Sequence, residues 1–544
     1  MLLILFSSIF IIPVLMGWGK IMENISGILF QGISGKILSG ILGISLVWTF
    51  ISFFFPLNIY VEAASILSGL FFFFKNKLYQ EFYQFSKKDF GLISVAALII
   101  MLAGSYYPYI LDHFGYYIPT LQWLTEYGLV KGISNVDLTL GQMSVWHIFQ
   151  AGFSNFSDPF LRINAVLLII YSIYIIERKD WIHLCFLPIL LLFSQSPSPD
   201  LPVIIFSLII LNELIDGNKN INLLFAFSIF VFTIKPTMIW LPVLVFLSSV
   251  FIFKNNFKPL FLGILILVLF FIKNIWTFGF PVFPVAIGDL GVFWKPNPEV
   301  LKTSSQFAIM KTYDMQYTYE EIQKFSTADY IKNWLSLDGI KSKINILFVL
   351  SLAIFTAFTW IKKRKLITLI CISLLIKSIL TLAFSAQYRF FIDVFFVVFF
   401  VLFREYFNQK KSIIVFSVLS LFFISMLSFP ALIQKYIPSF RVGSFMTGFE
   451  KEQLYRPSTY EYRQFNTFKI GNFKFNVSRN YPYSFDTPLP AVTPFYIFDD
   501  VKAGIFPQLS DKNDLKKGFI WKKMTPEEKK EAQRVINIIK NTDK

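Results

Sequence analysis

Acidic side chains in this chain of 544 residues are few, and some stand where apolar segments end. Asp112 follows the apolar segment 91–106, inside the aromatic stretch YILDHFGYYIPTLQWLTEYGLVKGISNV (residues 109–136). A partly desolvated carboxylate at such a place can act as a general base that takes a proton from a hydroxyl group. The adjacent His113 could contact a phosphate or a hydroxyl group. The alternatives are that Asp112 caps a helix and that His113 is an interfacial hydrogen-bonding residue.

A second acid, Asp200, stands in the Pro-rich turn SQSPSPD (residues 194–200). It could hold a metal ion or orient a reacting group, or it could cap the apolar segment 201–215 that follows. Asp289, in VAIGDLGVF, is more typical of a turn. No cofactor is required by these patterns, and a divalent metal such as Mg or Mn stays open.

Three cations, Lys235, Lys273 and Arg389, stand at the ends of apolar segments on the side that holds these acids. Such side chains could bind a phosphate group, although long cations at segment ends also snorkel towards water. Arg389 could instead pair with Asp393, four residues later on the same helix. Lys377, in the middle of an apolar segment, has no role that the sequence assigns.

The composition predicts a membrane protein. Of all residues 55% are hydrophobic and 15% are charged, and the mean hydropathy is +0.59, whereas soluble domains carry about 25% charged residues. A net charge of +16 could suggest a nucleic-acid partner. Most basic residues before residue 430 nevertheless lie in short loops, the pattern of topology signals, and no nucleic-acid binding is expected.

About fourteen apolar segments are visible, near 2–17, 34–55, 60–74, 91–106, 161–176, 182–194, 201–215, 221–234, 237–253, 258–275, 343–360, 366–384, 389–403 and 412–429. The segment 2–17 lacks a basic start and a cleavage site, so we interpret it as a span. Basic clusters in five loops fall on one side, which the positive-inside rule assigns to the cytoplasm. They contain Lys75, Lys77, Lys87, Lys88, Arg178, Lys179, Lys254, Lys258, Lys362, Lys363, Arg364, Lys365, Arg404, Lys410 and Lys411.

The opposite side receives the long loops 107–160 and 276–342 and the C-terminal residues. We therefore predict a transmembrane unit at 1–429 and an extracytoplasmic α+β domain at 430–544. Alternation over 460–477 predicts strands, and TPEEKKEAQRVINIIKN (residues 525–541) predicts a helix that Thr525 caps. In the first outer loop, YYIPTLQWLTEYG and residues 140–153 predict amphipathic helices that lie on the membrane surface as a lid.

The order of these motifs resembles the GT-C superfamily of polytopic glycosyltransferases, and within it a bacterial branch that uses polyprenyl-phosphate sugars. The motifs are the Asp112 loop, SPSPDLP (196–202), TIKPT (233–237), FGFPVFP (278–284), QYRF (387–390) and FDTPLPAVTP (485–494). The resemblance implies a GT-C-type helical bundle of about 12–14 spans in the bacterial inner membrane. It also implies inverting transfer of a sugar from a polyprenyl-phosphate donor to a glycan, lipid or protein acceptor at the outer face. Asp112, His113 and Asp200 would be catalytic, while Lys235, Lys273 and Arg389 would bind the lipid phosphate.

Two other functions stay open. One is an O-antigen polymerase or ligase, although its signature would be expected in a late outer loop. The other is a flippase or carrier for a lipid-linked glycan, which would place ionisable residues near the middle of the membrane and show repeated halves. The motifs of P-loop nucleotide binding, zinc proteases and serine hydrolases are absent from the sequence.

Overall fold

The computed structural model describes residues 1–254, 260–436 and 448–542 and is mainly helical. Lys258, and residues 437–447 and 543–544 of the predicted 430–544 domain, lie outside the described residues. The α-helices of the described residues are Leu2–Ser26, Ile33–Ser52, Ile59–Lys75, Lys87–Gly104, Ile118–Glu126, Val145–Ala151, Ile163–Arg178, Leu187–Leu190, Asp200–Ile215, Ile221–Ile234, Trp240–Ser248, Phe261–Phe278, Pro298–Thr312, Tyr319–Ile322, Thr327–Leu335, Ile340–Lys362, Lys365–Phe384, Ile392–Phe403, Gln409–Ser428, Pro430–Tyr436, Pro494–Lys502 and Pro526–Thr542.

Within the described residues, seven helices are long and apolar enough to cross a membrane. They are Leu2–Ser26, Ile33–Ser52, Pro236–Phe253, Phe261–Phe278, Ile340–Lys362, Lys365–Phe384 and Gln409–Ser428. The chain is thus a helical membrane protein by length and composition. The fourteen apolar segments exceed these seven because several form shorter helices. The segment 182–194, for example, breaks into Trp181–Cys185, Leu187–Leu190 and Leu191–Phe193.

Glycine lets the first helices pack closely. A Cβ placed on Gly17 would lie 1.8 Å from the carbonyl oxygen of Gly69, and one on Gly40 would lie 1.9 Å from that of Leu15. These contacts join the helices Leu2–Ser26, Ile33–Ser52 and Ile59–Lys75. Small residues at such crossings let helix backbones approach in a membrane, where dispersion contacts replace the hydrophobic effect.

Three central helices, Ile163–Arg178, Asp200–Ile215 and Ile221–Ile234, are buried over almost their whole length. A helix that is apolar on all sides needs other protein or lipid around it. Here the surrounding helices provide that cover. The three central helices therefore form the core of the bundle, and the polar loops connect the helices at its two ends.

Loops that carry basic clusters contact one another at one end of the bundle, where Gln84 Nε2 donates to Glu177 at 3.3 Å. Glu177 accepts hydrogen bonds from the backbone N–H groups of Ile33 and Ser34 at 2.6 and 2.9 Å. Arg404 forms ion pairs with Asp180 and Asp216, each at 2.6 Å. This clustering agrees with the sequence, whereas the assignment of this end to the cytoplasm stays a prediction.

At the other end, the first outer loop forms one of its helices as predicted, although the helix is covered. The helix Ile118–Glu126 has Pro119 in its first turn, and Gly128 follows it with a φ of 76°. Trp123 is buried and packs against Phe519 from the C-terminal region at 5.8 Å between ring centroids. The interior of the protein and the C-terminal residues thus cover much of this helix.

The expectation of a surface helix within residues 140–153 is wrong. The helix Val145–Ala151 has all seven residues buried, and Phe149 packs against Trp48 of the helix Ile33–Ser52. Its mixed polar and aromatic sequence looks amphipathic. The polar side chains are used inside the protein, where Gln150 donates to Asp158 and Trp146 to Asn164.

The C-terminal residues form two antiparallel strand pairs, Phe465–Ile470 with Phe473–Ser478 and Ile505–Leu509 with Phe519–Lys523. The predicted strands and the predicted last helix are therefore present. Thr525 caps that helix, because its hydroxyl group accepts the backbone N–H of Glu528 at 3.2 Å. The region packs on both long loops, since Phe519 N–H donates to Lys131 O and Trp521 Nε1 donates to Lys295 O.

Candidate functional site

Asp112 and Arg389 meet at the end of the bundle that carries the long loops. Arg389 Nη1 donates to Asp112 Oδ2 at 2.8 Å across 277 residues of chain. Both side chains are partly open to solvent, with 42% of the Arg389 and 32% of the Asp112 side chain exposed. A ligand can therefore reach both charges. Arg389 pairs with Asp112 and not with Asp393, so the alternative of an intrahelical pair is wrong.

A second ion pair joins the first. The Lys235 ammonium group pairs with the Asp200 carboxylate and also donates to the backbone carbonyl oxygen of Arg389 at 2.9 Å. Four of the six site residues predicted from the sequence thus form one connected group. We call Asp112, Arg389, Lys235 and Asp200 the four-charge cluster.

Local sequence explains how each member reaches the cluster. Lys235 ends the helix Ile221–Ile234 in an extended conformation, as expected of a residue that precedes proline. Asp200 begins a helix, where the N-terminal dipole favours a negative charge. The wide π-helical turn His113–Tyr117 directly follows Asp112, and turns of this kind are frequent at functional sites.

Two tyrosines lie beside the cluster and were not selected from the sequence. Tyr116 and Tyr117 are buried, and Tyr117 Oη donates to Ser198 Oγ at 3.5 Å, two residues before Asp200. Burial first, and Asp112 second, raise the pKa of the Tyr116 phenol, so it stays protonated. Their only sequence signal was the aromatic character of the stretch after Asp112.

His113 is not part of the cluster among the contacts of the described residues. Its ring is 4% exposed and packs edge-on against Phe114. Burial, followed by the charge of Arg162, lowers the pKa of His113 well below its usual range. His113 is therefore a neutral, enclosed side chain, and a catalytic role stays a prediction without support from its position.

Lys273 is also separate from the cluster. Its ammonium group donates to the backbone carbonyl oxygens of Gln142 and Met143 at 2.9 and 2.8 Å, and the side chain is fully buried. It holds the loop before the helix Val145–Ala151 against the helix Phe261–Phe278. Because the ammonium group of Lys273 is buried and bonded to these two carbonyl oxygens, we do not include Lys273 in the phosphate site.

Lys377, which had no assigned role, forms a buried ion pair with Asp393. Trp240 Nε1 donates to the second carboxylate oxygen of Asp393 at 2.9 Å. This pair lies inside the bundle, where both partners are less than 5% exposed. It ties together the helices that carry Lys377 and Asp393, close to the four-charge cluster.

Lys311 is a further cation that sequence reasoning missed. It stands in the last turn of the helix Pro298–Thr312 and is solvent-exposed as a residue. Partial burial of its ammonium group lowers its pKa, as does the charge of Arg389, whereas Asp112 raises it. Lys311 thus lies within electrostatic reach of the pair Asp112–Arg389. The polar loop around it gives no pattern that would have selected it.

The residues do not fit a resident divalent metal. Asp112 and Asp200 are each engaged by a cation, and the described residues contain no group of three or more His, Cys, Asp or Glu side chains that could hold a metal ion. A stable metal site needs several oxygen or nitrogen ligands free of other partners. Asp289, the weaker third acid, caps a turn at Gly291 and pairs with Lys295.

Comparisons with known proteins place the chain in a family. Comparison with curated proteins and comparison with solved structures each gave no match. A family model described as "Domain of unknown function (DUF8201)" matches residues 1–396. The match contains the whole four-charge cluster and stops before the C-terminal strands. Since it covers more than half of the chain, the protein belongs to the family with the Domain of unknown function (DUF8201).

Proposed function

We propose that the protein is a membrane glycosyltransferase that moves a sugar from a polyprenyl-phosphate donor to an acceptor hydroxyl group at the outer face of the membrane. The observation that carries this proposal is the partly exposed ion pair of Asp112 and Arg389 at the end of the bundle that carries the long loops. It places a candidate base and a candidate phosphate ligand side by side. The GT-C type of the bundle is part of the same proposal.

The charges support binding of an anion. Arg389, Lys235 and the nearby Lys311 bring three positive charges, whereas Asp112 and Asp200 bring two negative ones. Because Asp200 is engaged by Lys235, the open part of the site keeps a positive excess. A guanidinium group binds phosphate well, since it can donate two parallel hydrogen bonds. Arg389 is therefore the first ligand of the donor phosphate, and Lys311 adds to it from the rim.

The ion pair also suggests how the base is released. When the donor phosphate takes hydrogen bonds from Arg389, it competes with Asp112 for the guanidinium group. Asp112 then accepts the proton of the acceptor hydroxyl group while the hydroxyl oxygen bonds to the anomeric carbon. The bond from that carbon to the phosphate oxygen breaks, and the phosphate keeps the electron pair. Attack opposite the leaving group inverts the anomeric centre.

Lys235 and Asp200 hold Arg389 in position. Lys235 donates to the carbonyl oxygen of Arg389 and so holds the short turn Tyr388–Phe390 against the start of the helix Asp200–Ile215. Loss of either partner would shift Arg389 relative to Asp112. We assign them as positioning residues for the phosphate ligand.

The test is a transfer assay with purified full-length protein and a panel of polyprenyl-phosphate sugars. Released polyprenyl phosphate and the anomeric configuration of the product are measured. We expect release with at least one donor and an inverted product. A retained configuration, or no release with any donor while the protein is folded, would contradict the proposal.

A second candidate is a carrier for a lipid-linked glycan, favoured by the ion pair Lys377–Asp393 inside the bundle. Ionisable residues inside membrane-spanning helix bundles frequently mark transport paths. Liposomes that contain the protein and a fluorescent lipid-linked glycan distinguish the two candidates. Movement between leaflets without sugar transfer supports the carrier, whereas transfer without movement supports the enzyme.

A further inference from the structure

Four tyrosines gather at the open end of the first strand pair of the C-terminal region. Tyr460 and Tyr462 precede the strand Phe465–Ile470, while Tyr481 and Tyr483 follow its partner. The ring centroids of Tyr462 and Tyr481 are 5.1 Å apart, and those of Tyr460 and Tyr481 are 6.0 Å apart. We call Tyr460, Tyr462, Tyr481 and Tyr483 the tyrosine platform.

The platform is supported from below and partly open to solvent. Each of its four residues is half-buried. Phe485, which is 1% exposed, contacts the rings of Tyr460 and Tyr481 and itself packs on Phe114, two residues after Asp112. The platform thus rests on the loop that carries the proposed base.

The ring of Tyr483 lies beside the loop that carries Asp112. Gly115 is three residues after Asp112, and a Cβ placed on Gly115 would lie 3.6 Å from the ring of Tyr483. Burial, and then the charge of Asp112, raise the pKa of the Tyr483 phenol, which agrees with this closeness. A molecule bound across the platform would therefore lie beside the proposed general base.

The chemistry of the surface selects among possible occupants. The rim carries two basic and two acidic residues, with Arg463 at 3.5 Å from Asp486 and at 4.0 Å from Glu461, and with Arg479 bonded to Asn466. Such a balanced rim has no excess charge to attract a polyanion. Aromatic faces carry partial negative charge and attract the C–H faces of sugar rings, while phenol groups hydrogen-bond to hydroxyl groups.

We propose that the tyrosine platform binds the acceptor and that the acceptor is an uncharged oligosaccharide chain. This inference rests on the proposed function, since it places the growing end of that chain at Asp112. It selects a glycan from the glycan, lipid and protein acceptors that the sequence left open. A lipid surface is the competing occupant, because tyrosines also stand at headgroup depth.

The experiment compares Tyr481→Ala with Tyr481→Phe, which keeps the ring, and with Tyr455→Ala. Tyr455 is a matched control, since it is 68% exposed in the same region and outside the platform. Saturation-transfer NMR on the full-length protein measures binding of maltohexaose, chitohexaose and mannohexaose. We expect at least one to bind wild type, Tyr481→Phe and Tyr455→Ala, and to bind Tyr481→Ala about 3- to 10-fold more weakly, the usual worth of an aromatic contact.

In the transfer assay, Tyr481→Ala should raise the acceptor KM by a similar factor and leave the donor KM unchanged. Equal oligosaccharide binding by Tyr481→Ala and wild type, or no binding by either, overturns the inference. Efficient transfer to an acceptor without sugar, at an unchanged KM in Tyr481→Ala, also overturns it but leaves the proposed function intact. A third result would overturn the inference and leave the proposed function intact. It is that Tyr481→Ala loses thermal stability in lipid nanodiscs but not in detergent, while its sugar binding is unchanged, because the platform would then be a membrane anchor. Oligosaccharide binding that depends on Tyr481, without transfer from any donor, supports the platform and contradicts the proposed function.

Discussion

Arg389 holds Asp112 through its side chain, at 2.8 Å between Nη1 and Oδ2. The resting protein therefore keeps its candidate base neutralised by its candidate phosphate ligand. In the proposed reaction Asp112 takes part in the chemical step and Arg389 in donor binding. The removal of Asp112 and the removal of Arg389 should therefore have different kinetic effects.

Asp112→Asn should lower turnover by a factor of about 100 to 10,000, the usual worth of general acid–base assistance. The substitution keeps the shape of the side chain and removes its ability to accept the proton. Donor binding should not weaken, because the donor phosphate no longer competes with a carboxylate for Arg389. Asp289→Asn is the matched control, since Asp289 is another outer-loop acid that pairs with a lysine. Equal turnover of Asp112→Asn and wild type would show that Asp112 has only a structural role.

Arg389→Ala should weaken donor binding by about 1.5–3 kcal/mol, the worth of a charge-assisted hydrogen bond, which is about 10- to 150-fold in Kd. Lys311→Gln should weaken it by only about 2- to 5-fold, because an exposed charge contributes less than about 1 kcal/mol. The effect of Lys311→Gln should also fade at high salt. Binding of a fluorescent polyprenyl phosphate measures both, with Arg534→Ala as an exposed control. The reverse ranking would move the phosphate site towards Lys311.

Lys377→Met should destabilise the protein by about 3–5 kcal/mol, because it leaves Asp393 buried without its ion partner. The double variant Lys377→Met/Asp393→Leu should recover much of that loss, since no charge stays uncompensated. Thermal unfolding in one detergent measures both, and Lys522→Met, at an exposed lysine, is the control. An unchanged melting temperature in the single variant would mean that the pair is not formed.

Asp137 should make the C-terminal contact depend on pH. It accepts hydrogen bonds from Thr139 and from Thr493 of the C-terminal region, and burial raises its pKa from 3.8 to about 6. A raised pKa of an acid means that the folded state prefers the protonated form. Its contribution is therefore complete below about pH 4 and is lost as the pH rises from about 4 to about 6.

Limited proteolysis between pH 4.5 and 7.5 tests this, with cleavage of the C-terminal region as the readout. We expect slower cleavage at the acidic end. Asp137→Asn should flatten the dependence. Asp499 and Asp500, whose pKa values are also raised by burial, leave a smaller remaining slope. Faster cleavage of wild type at pH 4.5 would contradict the expected sign.

Membrane orientation can be tested by cysteine labelling, because Cys185 and Cys371 are both buried. Arg364→Cys and Lys410→Cys lie in basic loops and should resist an impermeant thiol reagent added to intact cells. Asp289→Cys, in the outer loop, should react. The positive-inside rule gives this expectation. Labelling in the opposite sense would place the four-charge cluster in the cytoplasm and remove the outer-face reaction.

Sequence reasoning found what is local. The segment ends at Asp112, Lys235 and Arg389 followed from hydropathy. The cap at Thr525 followed from the proline and the acidic residues that come directly after it. Sequence reasoning could not identify which charged residues pair with each other across the fold. By helical spacing Arg389 could pair with Asp393. In the folded protein Asp393 instead pairs with Lys377, and Arg389 pairs with Asp112.

Burial was the other limit. The residues 140–153 look amphipathic because their sequence mixes polar and aromatic types. The structure uses those polar groups for internal hydrogen bonds, and such partners come from distant parts of the chain. The tyrosine platform escaped notice for the same reason, because a strand pair brings together tyrosines about twenty positions apart in the sequence.

The sequence separation of 277 positions from Asp112 to Arg389 also has a consequence for biosynthesis. At a translation rate of about 5–20 residues per second, the ribosome adds Arg389 roughly 15 to 55 s after Asp112. Most of the bundle is synthesised before Arg389. During this interval Asp112 has no Arg389 with which to form its ion pair. A nascent chain that stalls in this interval would contain Asp112 without the Arg389 that pairs with it. Completion of the four-charge cluster is therefore tied to the synthesis of the last helices of the bundle.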